Sequence, residues 1–220
     1  MKYVKYFVQF LFAISCFIIF KILGPRLSSN LGGKIFEIIG PFFRSEKIIN
    51  SNIKKALPDI NFKNLKKIKR LMWNNYGRTF AEYMFIKEFR NGKISKNIEI
   101  DGQEILEKIK KENSQVIFIS GHFSNFELMA MHLEKSGINL CAIYRPLNNI
   151  FLNGIMERIR KKYICKQQIK KGIVSLRQLI ALKKNNFSTA IMIDQRVSEG
   201  ILSNFFKHEA LTTTIPAQLV

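Results

Sequence analysis

The chain has 220 residues, 47% of them hydrophobic and 12% aromatic, with a formal net charge of +20 at pH 7. That length holds one domain with a sizeable core, and the apolar content excludes an intrinsically disordered chain. An excess of 36 Lys and Arg over 16 Asp and Glu either calls for an acidic partner or reflects a general enrichment in Lys, Ile and Asn without functional meaning. The lysines are dispersed and the phenylalanines sit inside apolar runs, so no base-stacking surface is foreshadowed and nucleic acid is the poorer partner. An anionic membrane surface fits better, since each basic side chain near the head groups contributes roughly 1 kcal/mol. Cys16, Cys141 and Cys165 are widely spaced, which argues against a disulfide framework and a zinc site and suits a reducing cytoplasmic setting.

In chain order, residues 6–20 form an apolar run bracketed by Lys2, Lys5 and Lys21. Continued to Gly24, it approaches the roughly 20 residues that cross a bilayer core. A cleaved signal peptide is the rival, but no small-x-small site follows promptly, so the run is expected to stay as an anchor or a deeply embedded helix. Residues 28–43 make a second apolar stretch, broken by Gly40-Pro41, that suits either a membrane-surface segment or a core helix. Residues 64–90 read as a long helix on which Arg78 and Glu82, four apart, can pair.

Residues 97–101 alternate and stop at Gly102, as a first sheet strand would. A charged helix over 103–112 leads to the apolar, β-branched run Val116–Ile119, which reads as a strand buried on both faces. Beyond it Ser124 is expected to start a helix. His122 therefore falls past the carboxyl end of a strand, where open α/β sheets bind ligands. Ser124-x-x-Glu127 has two readings: a capping box at the helix start, or a carboxylate serving the His122 imidazole. A strand over 139–144, a basic helix over 150–163, a helix over 172–184 and a strand over 188–193 complete a βαβα order, which favours a mainly parallel sheet covered by helices.

His122-x-x-x-x-Glu127 after an apolar strand, then Tyr144-Arg145-Pro146, Ile193-Asp194-Gln195, Phe205-Phe206 and Thr212-Thr213-Thr214 resemble the bacterial lipid A biosynthesis acyltransferase family. Leu31-Gly32-Gly33, Ala56-Leu57-Pro58 and the stretch from Met72-Trp73 through Gly77-Arg78 to Ala81-Glu82 agree with it, so the likeness runs along essentially the whole chain. It implies an α/β fold of glycerolphosphate-acyltransferase type, with residues 1–24 as membrane anchor, 25–95 as a helical membrane-proximal region and 96–220 as the catalytic domain. Related enzymes continue past the threonine cluster, so a carboxyl-terminally shortened domain, a split gene or an inactive membrane-associated remnant is also expected. The family places an arginine a few residues before Gly172, where this chain has only lysines, and the bidentate geometry of that contact is lost.

The resemblance implies transfer of a fatty acyl chain from acyl carrier protein to a hydroxyl of a phosphorylated lipid A precursor at the cytoplasmic face of the inner membrane. His122 would be the general base and Glu127 its orienting carboxylate. Asn125, Arg145, Asp194, Gln195 and Thr213 would contact substrate. No metal and no cofactor beyond the acyl thioester is expected, because the thioester is already activated and His122, His132 and His208 lack ligand spacing. A lysophospholipid or another glycolipid is the alternative acceptor.

Overall fold

The computed structural model describes residues 2–172, 174–195, 197–198 and 200–220. It divides into two compact units, one of residues 14–85 with 202–210, the other of residues 1–13, 86–201 and 211–220. Helix α1, Lys2–Ile39, belongs to both and is kinked at Gly24, whose φ of 77° and ψ of 171° lie in a region that only glycine occupies cheaply. The two apolar stretches of the sequence are thus consecutive halves of one kinked element, closed by a 3-10 turn at Gly40–Phe43.

In the unit built around residues 14–85, α2 (Glu46–Ala56) and α3 (Phe62–Glu82) follow. The Asn61 side chain caps α3 by accepting the Asn64 N–H at 2.9 Å. Gly32 and Gly77 mark a direct backbone contact between α1 and α3. A Cβ on Gly32 would lie 2.5 Å from the Gly77 carbonyl oxygen, and one on Gly77 only 2.0 Å from that of Gly32. Around this crossing Phe17, Phe20 and Ala81 are buried with Phe80 and Met84 packed on them. Ser29 Oγ donates to Glu82 Oε1 at 2.7 Å and accepts from Arg78 at 3.2 Å, so the residues expected to pair along α3 are bridged by a hydroxyl from α1.

A 3-10 turn, Tyr83–Phe85, ends this stretch of the first unit, and the other unit resumes with α4, Ile86–Asn91. The strand expected over 97–101 is not part of the sheet. After a 3-10 turn at Ser95–Asn97 the chain is extended but unlaid on any strand, with Ile98 and Ile100 half-buried and Glu99 exposed. Its alternation reflects one face packed on the body, a requirement that an unpaired extended segment meets as well as a strand does. Then come α5 (Gln103–Lys111), β1 (Ile117–Ser120), α6 (Glu127–Lys135), β2 (Leu140–Tyr144), α7 (Ile150–Tyr163), β3 (Gln167–Lys170), α8 (Ser175–Lys184) and β4 (Ser188–Met192). The four strands form a parallel sheet in the order β1-β4-β2-β3. Strand β3 has no counterpart in the sequence reading, because in Gln-Gln-Ile-Lys only Ile169 enters the core.

A two-stranded hairpin of β5 (Ile201–Phe205) and β6 (His208–Thr212) turns at Phe206 and Lys207, both at positive φ as a tight two-residue hairpin requires. Helix α9, Ile215–Leu219, returns to the sheet. There Leu219 and Ile215 join Cys141, Ile169, Leu179 and Ile191 in the core. The whole is a mixed α/β fold: a long apolar amino-terminal helix, further helices, and a four-stranded parallel sheet flanked by helices.

Candidate active site

The site follows from the pairing of β1 with β4. Ser120 is opposite Met192 in parallel register, and Ile193 N–H donates to the Ser120 carbonyl at 3.0 Å. Two residues further along each strand, His122 and Asp194 therefore meet at the carboxyl edge of the sheet. His122 Nδ1 lies 2.7 Å from Asp194 Oδ1, and the His122 backbone N–H donates to Asp194 Oδ2 at 2.6 Å. Gly121 makes room for this, since a Cβ there would come within 3.1 Å of Asp194 Oδ2 and 2.8 Å of the Phe123 ring.

The tautomer is set by this pair: with a carboxylate at Nδ1, the ring proton sits there and the lone pair is on Nε2. Gln195 Nε2 lies 3.2 Å from His122 Nε2, so a side-chain amide caps the other ring nitrogen. Phe126 packs edge-on against the imidazole, with 4.5 Å between ring centroids. Burial acts to raise the Asp194 carboxyl, but the hydrogen bonds from the His122 backbone and ring outweigh it and hold the group below its ordinary value.

Neither expected reading of Glu127 describes its surroundings. Ser124 adopts a left-handed φ of 44° and α6 starts only at Glu127, with Phe126 as N-cap and no side-chain cap. Glu127 is buried, and its Oε1 accepts from Arg160 Nε at 2.8 Å and Arg160 Nη2 at 2.6 Å. The carboxylate at the imidazole is Asp194, and Glu127 binds a guanidinium from α7. Spacing pointed to Glu127 because only four residues separate it from His122; the partner 72 positions away is invisible until β1 and β4 are known to be neighbours.

Arg160 is one of the basic residues late in the helix over 150–163 that suit an acidic carrier protein or a phosphorylated head group, and nothing in its spacing marks it as the partner of Glu127. Its guanidinium carbon lies 5.7 Å from the Tyr144 ring centroid. Tyr144 Oη donates to Glu157 Oε1 at 2.6 Å, Asn153 Nδ2 donates to the same oxygen at 2.9 Å, and Lys170 Nζ is 3.7 Å from it. Burial and the Glu157 carboxylate push the Tyr144 hydroxyl up to about 12, while the hydrogen bonds from Tyr144 and Asn153 lower Glu157. The only sequence signal for this network was the run of basic residues late in α7.

Among the expected substrate contacts, Gln195 joins the imidazole directly. Arg145 is exposed one residue past the end of β2, on the same edge of the sheet, and Asn125 is half-buried in the turn before α6, its carbonyl accepting the Leu128 N–H. Thr213 lies between β6 and α9, where its hydroxyl accepts the Ile215 N–H at 3.3 Å. Among the described residues, the hydrogen bonds to the His122 ring come from Asp194 and Gln195, and no three His, Cys, Asp or Glu side chains gather as a metal site.

No curated protein matches the chain. The family described as bacterial lipid A biosynthesis acyltransferase matches residues 1–220. With the match covering the whole sequence, the chain belongs to the bacterial lipid A biosynthesis acyltransferase family, whose members act on lipid A precursors.

Proposed function

We propose that this chain transfers a fatty acyl group from an acyl carrier protein thioester to a hydroxyl of a phosphorylated lipid A precursor at the cytoplasmic face of the inner membrane, with His122 as general base. The observation that carries the reading is the imidazole itself: Nδ1 is held by Asp194, and Nε2 faces a replaceable amide donor. A hydroxyl entering in place of Gln195 gives its proton to Nε2, and its oxygen attacks the thioester carbonyl. Collapse of the tetrahedral intermediate expels the thiolate, which takes the proton back from the imidazolium. Asp194 stabilises that imidazolium while it lasts. The carbonyl oxygen, negative in the intermediate, is stabilised by amides in the turn leading into α6.

Glu127 serves this site through Arg160, fixing the guanidinium. Arg145, Asn125 and Thr213 contribute contacts to the acceptor or the acyl chain. The basic side chains at and beyond the end of α7, among them Arg158, Lys161, Lys162 and Lys166, meet an acidic carrier protein or the acceptor's phosphates. The decisive assay follows acyl transfer by purified protein from acyl carrier protein to a lipid A precursor. His122→Ala is expected to abolish product while membrane association is retained; a fully active variant removes the base from its role.

A further inference from the structure

We propose that a cleft between α2 and α3 binds an anionic phospholipid, with lysines of α3 on its phosphate and the apolar wall on its acyl chain. The cleft has a volume of about 480 Å³ and is walled by Leu57, Ile60, Ile68 and Leu71, with Lys67 and Asp59 among its polar members. That is the size of small-ligand sites, which are mostly apolar with a few placed polar groups. All of these residues fall within residues 14–85, so the site belongs to a single compact unit.

The cations beside the cleft are arranged for an outside partner. At about 3.6 residues per turn, Lys66, Arg70, Lys63 and Lys67 fall in that order within an arc of about 100° on α3, and Leu71 continues the rotation into the cleft. These four cations are exposed, and none of them makes an ion pair among the described residues. Lys69 is the contrast, being partly buried and paired with Glu46 of α2. Lys63 lies in the first turn of α3, which holds no acidic residue, and a cation there opposes the helix dipole. Helix stability therefore does not account for the stripe, and an anion bound to it relieves the mismatch.

Charge alone would suit any polyanion, but the cleft narrows the ligand to one with a tail. Lys67 stands on its wall, so a phosphate held there has apolar surface immediately beside it. Leu57 and Leu71 are 48% and 50% exposed, and Phe62, which opens α3, is 77% exposed. An acyl chain laid against these side chains removes apolar surface from water on both partners. A single side chain inserted by an acidic protein would leave most of the 480 Å³ unfilled. Asp59 is the acid on the cleft, exposed in the loop before α3, and it is outweighed by the cations of the stripe, so the net preference is for an anionic head group.

The test uses the full chain in a non-ionic detergent, with Asn64→Cys at the cleft carrying an environment-sensitive fluorophore and Cys16→Ser as background, because Cys141 and Cys165 are buried. Dihexanoyl-phosphatidylglycerol is expected to give a saturable blue shift at about one tenth of the concentration that dihexanoyl-phosphatidylcholine needs. Equal potency of the two lipids would overturn the proposal. Lys63→Gln with Lys67→Gln, exposed changes that keep helix propensity, should weaken phosphatidylglycerol binding about tenfold; unchanged binding would take the phosphate away from α3. Leu57→Ser with Leu71→Ser should weaken it by a similar factor while the helical circular dichroism is retained, and unchanged binding would leave the cleft without an acyl chain. Inorganic phosphate alone should not move the fluorescence. A shift from it as large as the lipid's would reduce the site to bare charge, and the same shift from acyl carrier protein would give the cleft to an acidic protein. Asp59→Asn should bind phosphatidylglycerol at least as tightly as the parent, since weaker binding would mean that the carboxylate holds a zwitterionic head group. His122→Ala should titrate as the parent does, so failure of the proposed chemistry and failure of this site are read separately.

Discussion

Each ionisable group of the site is defined by its nearest neighbour. Asp194 holds the His122 proton on Nδ1, so Asp194→Asn, which can present an amide N–H there, favours the wrong tautomer and should lower kcat by about two to four orders of magnitude with little change in KM. The same contact has a pH signature. Because the folded Asp194 carboxyl titrates below its ordinary value, its contribution to stability is fully present above the unfolded value and is lost as pH falls through the lower folded one. Unfolding midpoints of parent and Asp194→Asn should thus differ by a constant amount at neutral pH and converge only in strong acid. Convergence already above the ordinary carboxylate range would contradict the geometry. Glu127 calls for a different experiment, since this buried carboxylate pairs with a half-buried guanidinium. Glu127→Ala should destabilise the fold by about 3–5 kcal/mol, whereas Glu127→Met with Arg160→Met should recover most of that in chemical denaturation and remain inactive. If the single and double variants unfold alike, the pair has no structural role.

The elements are placed by contacts that a few small residues permit. Gly32 and Gly77 let α1 and α3 touch through their backbones, and the motifs that contain them, Leu31-Gly32-Gly33 and Tyr76-Gly77-Arg78, acquire a packing explanation independent of catalysis. Gly77→Val must push the helices apart and uncover Phe17, Phe20 and Phe80. The expected loss is about 2–4 kcal/mol, visible as a lower thermal midpoint. In the sheet, β1 and β4 are neighbours although 67 residues of chain and two other strands come between them. That pairing, more than any local motif, assembles His122, Asp194 and Gln195. Strand β3 illustrates the reverse case, where a polar tetrapeptide with one buried side chain becomes a strand because β2 offers it an edge.

On the scale of the whole molecule, the net charge of +20 and the apolar face of α1 would make two separable contributions to the proposed membrane association. Attraction to anionic lipid is screened over about 8–10 Å near physiological ionic strength, whereas burial of the Val8 and Phe12 face is not. Raising salt should weaken association with phosphatidylglycerol-containing vesicles to a plateau set by the helix, and sedimentation would show it; complete release by salt would leave the helix without a lipid contact. The sequence by itself determined the class of fold, the apolar amino-terminal helix, the extent of α7 and the strand tip that carries His122, because helical and strand periodicities and the turn at Gly121 are local properties. The identity of the carboxylate beside the imidazole, the guanidinium beside Glu127 and the backbone contact of Gly32 with Gly77 were decided only by the tertiary structure. Each of these depends on which distant segments lie side by side, and parallel strands joined through helices keep no trace of their neighbours in the spacing of residues along the chain.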